Sequence, residues 1–232
     1  MIKHVTAMLL LAVIGGIFFT LYSGYAPDTE LNTTASYYAE NTAKDLGATN
    51  IVTAIIVTYR GLDTLGEVTV LFLAAAVVGL VLANSKVADA NAHNRAPVGE
   101  LLATGSRALV PLILLLGAYV FVNGHLTPGG GFQGGAIVAS AMLLLLLANP
   151  VRRFSHRLIA VIESFSGLTY VLLGIAGLFW AGGFLDNRIL PTGELGALFS
   201  AGAIPLIYSL IGLKVGAEIS SILSNLSETE EL

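Results

Sequence analysis

Hydrophobic residues in this chain gather in long blocks that polar residues interrupt without alternating. Six blocks approach the ~20 residues that carry a helix across a bilayer: Ile2–Tyr25, Leu62–Ala83, Leu102–Asn123, Phe132–Asn149, Leu158–Ala181 and Leu195–Glu218. Transmembrane strands would run ~10 residues with apolar and polar positions alternating, and no block does so. The pattern predicts an all-α polytopic membrane protein with about six transmembrane helices.

Two places break the helical rhythm. Residues 50–59, "NIVTAIIVTY", are apolar and helix-compatible, then meet "RGLDTLGE" before a further apolar run. If residues 50–83 form one helix interrupted at Arg60-Gly61, the carboxylates of Asp63 and Glu67 lie near mid-membrane. If the span begins at Leu62, they lie at the outer interface. The second break is "GHLTPGGGFQGG", residues 124–135.

Composition supports the membrane reading. Charged residues make up 11% of the chain and hydrophobic ones 55%, with a mean hydropathy of +0.82; soluble domains carry about 25% charged residues. The net charge of −4 says little about partners, and no basic patch points to nucleic acid. The chain has no cysteine, which excludes disulfides and thiolate-held iron–sulfur clusters. Its four histidines, His4, His93, His125 and His156, are scattered singly. No haem, catalytic metal centre or other cofactor is expected on this chain.

Lysine and arginine placement sets the expected orientation. Lys3, Lys86, Arg95, Arg107, Arg152, Arg153 and Arg157 fall on one side of a six-span arrangement. Both termini are then cytoplasmic, in a cell (inner) membrane. The basic start and apolar centre of the first block also suit a signal peptide; it is read as a retained first helix. The connector "NSKVADANAHNRAPVGE" divides a two-helix unit, residues 1–84, from a four-helix unit, residues 100–232, through a cytoplasmic linker at 85–99. The tail "SETEEL" reads as a solvated acidic end. No internal repeat suggests the inverted halves of a complete transporter.

Within the second break, Gly129-Gly130-Gly131-Phe132-Gln133-Gly134 satisfies G-x-G-x-x-G. A dinucleotide site needs a preceding strand and an acidic residue ~20 positions later. Here an apolar block precedes, and the next acidic residue is Glu163. The membrane reading accounts for more. Pro128 removes an N–H and restricts Thr127, while Gly129, Gly130 and Gly131 tolerate positive φ, giving a tight non-helical link between two spans. Gly130 with Gly134, and Gly131 with Gly135, offer small faces for a close helix approach. A plain external turn is the alternative.

Ionisable groups inside spans are candidates for function by default. Asp63 and Glu67 share a helix face, and Arg60 is placed to hold Asp63 ionised. That arrangement leaves Glu67 freer to titrate, as a proton or cation relay needs. The competing reading is a helix-start cap, with acidic groups meeting the helix dipole. Glu163 near the start of the fifth span and Lys214 near the end of the sixth are expected at matching depth, where they could pair. Lys214 would then modulate a neighbouring carboxylate. Otherwise Lys214 snorkels and Glu218 is exposed at the interface. His125 reads as a hydrogen-bonded helix terminus.

Three stretches resemble a known family. "GHLTPGGGFQGGAIVAS" (124–140) looks like the signature of the B subunit of Mrp-type multisubunit Na+/H+ antiporters, and "SAGAIPLIYSLIGLKVGAE" (200–218) resembles its last helix. "TYRGLDTLGEVTVLFLAA" (58–75) is similar to the C-terminal membrane segment of the large A subunit, which occurs as a separate small subunit in membrane-bound hydrogenase-type complexes. The resemblance implies a subunit working beside antiporter-like subunits, with Na+ and H+ as transported ions. Asp63 and Glu67 match an acidic pair implicated in ion movement, and Pro128 and Phe132 match the glycine-loop positions. The fusion of an A-type segment to a B subunit, without the large antiporter core, leaves two settings open. One is a free-standing antiporter; the other is a redox-driven complex with hydrogenase-like or iron–sulfur subunits. A non-conducting scaffold subunit is the alternative function.

Overall fold

A computed structural model describes residues 2–26, 30–84, 99–149 and 154–229. The expected linker falls almost wholly outside these residues, as do Asp28, Lys86, His93, Arg95, Arg152, Arg153 and the last three residues of the acidic tail. The described chain is helical. Its α-helices are α1 (Ile2–Gly24), α2 (Thr33–Leu46), α3 (Ile51–Ala54), α4 (Gly61–Asn84), α5 (Glu100–Val122), α6 (Gly131–Ala148), α7 (His156–Trp180) and α8 (Ile204–Thr229). Six of them, all but α2 and α3, are long and apolar enough to cross a membrane.

The chain divides into two compact units, residues 1–37 and residues 38–232. In the first, α1 is apolar on every side, and all its described side chains are exposed. A helix with no polar face has lipid or another apolar helix as its surroundings.

The second unit is built around α8, which packs against α4, α5, α6 and α7. Its buried face supplies Ile204, Ile207, Tyr208, Leu210, Ile211 and Val215 to the core, which also takes Val57, Val68 and Tyr170. Small residues let the helices close up. A Cβ on Gly135 of α6 would stand 2.8 Å from the Gly212 carbonyl of α8, and one on Gly131 would stand 2.5 Å from Ile211. Both positions therefore exclude any larger side chain without moving a helix.

The start of α8 differs from the expected span at Leu195. Gly196 and Ala201 hold φ of 89° and 63°, which no right-handed helix accommodates. The chain from 181 to 203 forms instead an ordered crossing with one 3-10 turn, Asn187–Ile189. The helix begins only at Ile204, with Pro205 in its first turn, where the missing N–H costs nothing. It then runs to Thr229, so Lys214 and Glu218 occupy its middle, not its final turns. The depth expected for this pair is corrected accordingly.

Polar side chains tie the crossing down. Asn187, fully buried, donates through Nδ2 to the carbonyls of Leu46 (3.0 Å) and Ala201 (2.9 Å). Asp186 caps the 3-10 turn and pairs with Arg188 at 2.5 Å. This hydrogen-bonded guanidinium holds the Asp186 carboxyl below the usual range. Between the first two spans, α2 is a short polar helix, not a crossing, and it left no apolar block to read.

Candidate functional site

The segment before α4 continues the helical path. After α3, residues Ile55–Tyr59 wind as a π-helix, and Arg60 ends it with its N–H bonded to the Ile55 carbonyl at 2.7 Å. Wide turns of this kind inside membrane helices leave a carbonyl free for side chains; here the Thr64 hydroxyl donates to Ile56 O at 2.5 Å. Residues 51–59 are thus helical, and Arg60 at φ −123° separates them from α4, the helix of membrane-spanning length and apolarity, which begins at Gly61.

Two contacts set the level of the acidic pair. The Tyr170 hydroxyl, near the middle of α7, donates to the Gly61 carbonyl at 3.4 Å, and it lies close enough to Glu67 for the two to interact electrostatically. At 1.5 Å rise per residue Glu67 lies roughly 9 Å further along α4 than Gly61, and Phe72, further along still, has the Lys214 ammonium 4.9 Å from its ring centroid. Glu67 lies in the second turn of α4 and is exposed.

Arg60 and Asp63 pair at the start of α4, with Nε donating to Oδ2 at 2.7 Å. Both side chains are more than half exposed, and Glu67 is exposed on the same face. Three charged groups on an uncovered face of a membrane-spanning helix would be costly against lipid. That face needs a polar or proteinaceous neighbour.

Lys214 pairs with Glu218 one turn further along α8, Nζ to Oε1 at 2.7 Å, with side-chain exposures of 11% and 0%. The expectation that Lys214 pairs with Glu163 gives way to this local pair, because i, i+4 spacing places the carboxylate within direct reach. Glu163 of α7 stays close enough to interact electrostatically with Lys214 and with Glu218. Glu218, expected at an exposed interface, is fully buried. Its second oxygen has no hydrogen-bond partner among the described residues. The i, i+4 signal was present in the sequence; what hid it was the misplaced start of the helix.

The glycine loop sits against the segment that leads into α3. Asn50 Nδ2 donates to the carbonyls of Gly124 and Thr127, both at 2.9 Å, and the Thr53 hydroxyl donates to Gly124 O at 2.6 Å. These bonds satisfy carbonyls that the end of α5 leaves free. Gly129, at φ 141°, makes the reversal, and Gly130, Gly131, Gly134 and Gly135 lie in the packed seam. Pro128 is exposed at the loop tip, whereas Phe132 is half-buried against the α8 core. His125 is fully buried, its Nε2 3.4 Å from the Ala197 carbonyl and its own carbonyl accepting from Asn50 N at 3.1 Å. Burial pushes its imidazole below the ordinary value. No group of three or more His, Cys, Asp or Glu side chains that could hold a metal ion occurs among the described residues.

Six apolar helices joined in part by a glycine-lined reversal make a polytopic helical membrane protein, and its relatives make it a membrane subunit of the Mrp antiporter type. The chain belongs to the family described as "Domain related to MnhB subunit of Na+/H+ antiporter", whose model matches residues 101–221. A second family model, MbhE, which describes the E subunit of MBH, matches residues 4–92. An uncharacterised protein of Methanocaldococcus jannaschii is 33% identical over 217 residues, covering 78% of this chain and 82% of its own. A probable K+/H+ antiporter A/B subunit of Rhizobium meliloti is 30% identical over 177 residues, 65% of this chain and 17% of the relative. Among solved structures, a chain of the membrane-bound sulfane sulfur reductase, an archaeal respiratory membrane complex, superposes with a TM-score of 0.81 at 42% identity. It is covered to 98%, and this chain to 97%. A chain of the Mrp complex from Dietzia sp. DQ12-45-1b gives 0.78 at 25% identity, over 98% of this chain and 26% of that one. In that Mrp chain, as in the Rhizobium relative, this protein corresponds to one stretch of a longer polypeptide.

Proposed function

We propose that this protein takes part in moving Na+ and H+ within an Mrp-type module, through the charges at mid-bundle. The observation that carries the reading is the cluster of Glu163, Lys214 and Glu218 between α7 and α8, with Tyr170 of α7 within electrostatic range of Glu67 on α4. Glu67 is the ion-handling carboxylate. Asp63, one turn before Glu67, is engaged by Arg60. Lys214, with Glu163 and Glu218 around it, supplies the counter-charge on α8. His125, Pro128, Phe132 and the glycines support the helix reversal and close packing, and exchange no ion themselves.

The exposed face bearing Arg60, Asp63 and Glu67 receives an antiporter-like partner, which completes the path. Lysine and arginine placement puts both termini in the cytoplasm, in the cell membrane. The near end-to-end likeness to a chain of a sulfur-reducing complex favours a redox-driven assembly with iron–sulfur or hydrogenase-like subunits over a free-standing antiporter. Matches of one family model over residues 4–92 and of another over 101–221 support the division into an A-type unit, residues 1–84, and a B-type unit, residues 100–232.

Mass spectrometry of what co-purifies with this chain in mild detergent tests the assembly. Antiporter-like subunits together with iron–sulfur subunits are expected. Antiporter-like subunits alone would assign a gradient-driven antiporter, and recovery of this chain alone, stable and monodisperse, would overturn the reading of it as part of a larger complex.

A further inference from the structure

The charges at mid-bundle are only part of a longer polar line. On α8, Lys214, Glu218, Ser221, Ser224 and Glu228 follow one another at intervals of four, three, three and four residues, which places them on one face. On α7, His156, Glu163 and Tyr170 recur every seven residues, also on one face. The two helices pack against each other. They run in opposite directions, so the start of α7 meets the end of α8.

At that meeting point His156 Nε2 lies 2.6 Å from Glu228 Oε1, and the Ser224 hydroxyl donates to the same oxygen at 3.5 Å. The exposures step inward along this line. The side chain of His156 is 49% exposed and that of Glu228 15%, while Ser224 and Glu218 are buried. Two turns into α7, Glu163 interacts electrostatically with both Lys214 and Glu218. Beyond them Tyr170 lies within electrostatic range of Glu67. Ionisable groups along an α7–α8 contact within a bilayer are costly unless they pair with one another or serve an ion.

We propose that His156 and Glu228 form the mouth of a proton path that follows this α7–α8 ladder to the charges at mid-bundle. The inference rests on the reading that Glu67 handles ions, and adds the route by which protons reach it from one side. At the mouth, His156 takes a proton at Nδ1 from a hydronium ion, which becomes water, and releases the one on Nε2 to Glu228 Oε1. The N–H bond breaks as the O–H bond forms, and the imidazole returns to neutral. Ser224 and Ser221 then carry the line towards Glu218 and Glu163. The mouth lies at the end of the bundle where α7 begins, the cytoplasmic end in the orientation proposed above.

The test uses the intact complex, reconstituted in vesicles with a pH-sensitive dye, and compares His156→Ala, Glu228→Gln and Glu67→Gln. Positioned proton-transfer groups are commonly worth about 10²–10⁴-fold. With bulk water as a partial bypass at the mouth, a loss of about tenfold is expected for His156→Ala and for Glu228→Gln. Imidazole added on the mouth side should restore His156→Ala and leave Glu67→Gln inactive. His156→Gln, which keeps a hydrogen bond to Glu228 and carries no exchangeable charge, is read in the same way where the alanine variant fails to assemble. Wild-type rates in the His156 and Glu228 variants beside an inactive Glu67→Gln would overturn the mouth and leave Glu67 standing. A loss in His156→Ala that imidazole does not restore would also overturn it. A wild-type rate in Glu67→Gln would overturn the reading on which the path rests.

Discussion

Lys214 and Glu218 make the most quantitative prediction. The ammonium and carboxylate stand 2.7 Å apart, both buried, in the middle of the helix that organises the bundle. At that separation and an effective dielectric near 20, their attraction is roughly 6 kcal/mol before desolvation is counted. Desolvation of two ions offsets most of it, so the pair contributes little net stability compared with two apolar side chains. Removing one partner is a different matter. Lys214→Met leaves the Glu218 carboxylate, 0% exposed, without its counter-charge, and should cost about 3–5 kcal/mol. Glu218→Leu alone should cost a similar amount by stranding the ammonium. The double variant should return to within about 1–2 kcal/mol of the parent. Reversible unfolding in mixed micelles, followed by tryptophan fluorescence from Trp180, gives the four stabilities of the cycle. Singles that each cost under about 1 kcal/mol and simply add in the double would refute a buried, mutually dependent pair.

Gly135→Ala should destabilise the α6–α8 seam by about 1–3 kcal/mol, because its Cβ would meet the rigid Gly212 carbonyl at 2.8 Å. Gly66→Ala, with nothing within 4 Å, should be neutral or slightly stabilising in the same thermal assay. Asn187→Ala removes two buried hydrogen bonds, to Leu46 O and Ala201 O; a loss of about 2–4 kcal/mol is expected by denaturant titration. His125 has a folded-state value below its unfolded one, so the unfolded chain binds the proton more readily. Stability should therefore fall as pH drops through about 6.5, by at most ~1.4 kcal/mol per pH unit. His125→Gln should flatten that slope between about pH 7.5 and 5.5, as read from melting curves.

Much of the fold was legible because a bilayer asks for apolar length, and length survives in a single sequence. The blocks at α1, α4, α5, α6 and α7 lie within two residues of the helices. The sixth was misplaced because Leu195–Ala203 is as apolar as a helix yet takes positive φ at Gly196 and Ala201. Nothing in hydropathy reports backbone handedness. That one shift moved Lys214 and Glu218 from the middle of the helix to its expected end. The short helix α2 went unseen for the opposite reason: its polar residues give no block at all.

The site was legible in type more than in partnership. Asp63, Glu67 and Lys214 stood out as charges in apolar surroundings, and the spacing of Arg60 and Asp63 foretold their contact. Tyr170 did not stand out, since an aromatic residue in a span is most often core. Its hydrogen bond to Gly61 O appears only once α4 and α7 are assembled. The His156–Glu228 contact joins residues 72 apart in sequence, and no local pattern anticipates it.

The central claim is that Glu67 itself exchanges ions, and Glu67→Gln paired with Glu67→Asp tests it most directly. The measurement is Na+-dependent proton movement in vesicles carrying the intact complex, with assembly checked by native gel. Loss of transport in Glu67→Gln with assembly intact, and partial return in Glu67→Asp, is the predicted result. Transport at the parental rate in a fully assembled Glu67→Gln complex would contradict it, and would leave this protein as a scaffold around a path that runs elsewhere.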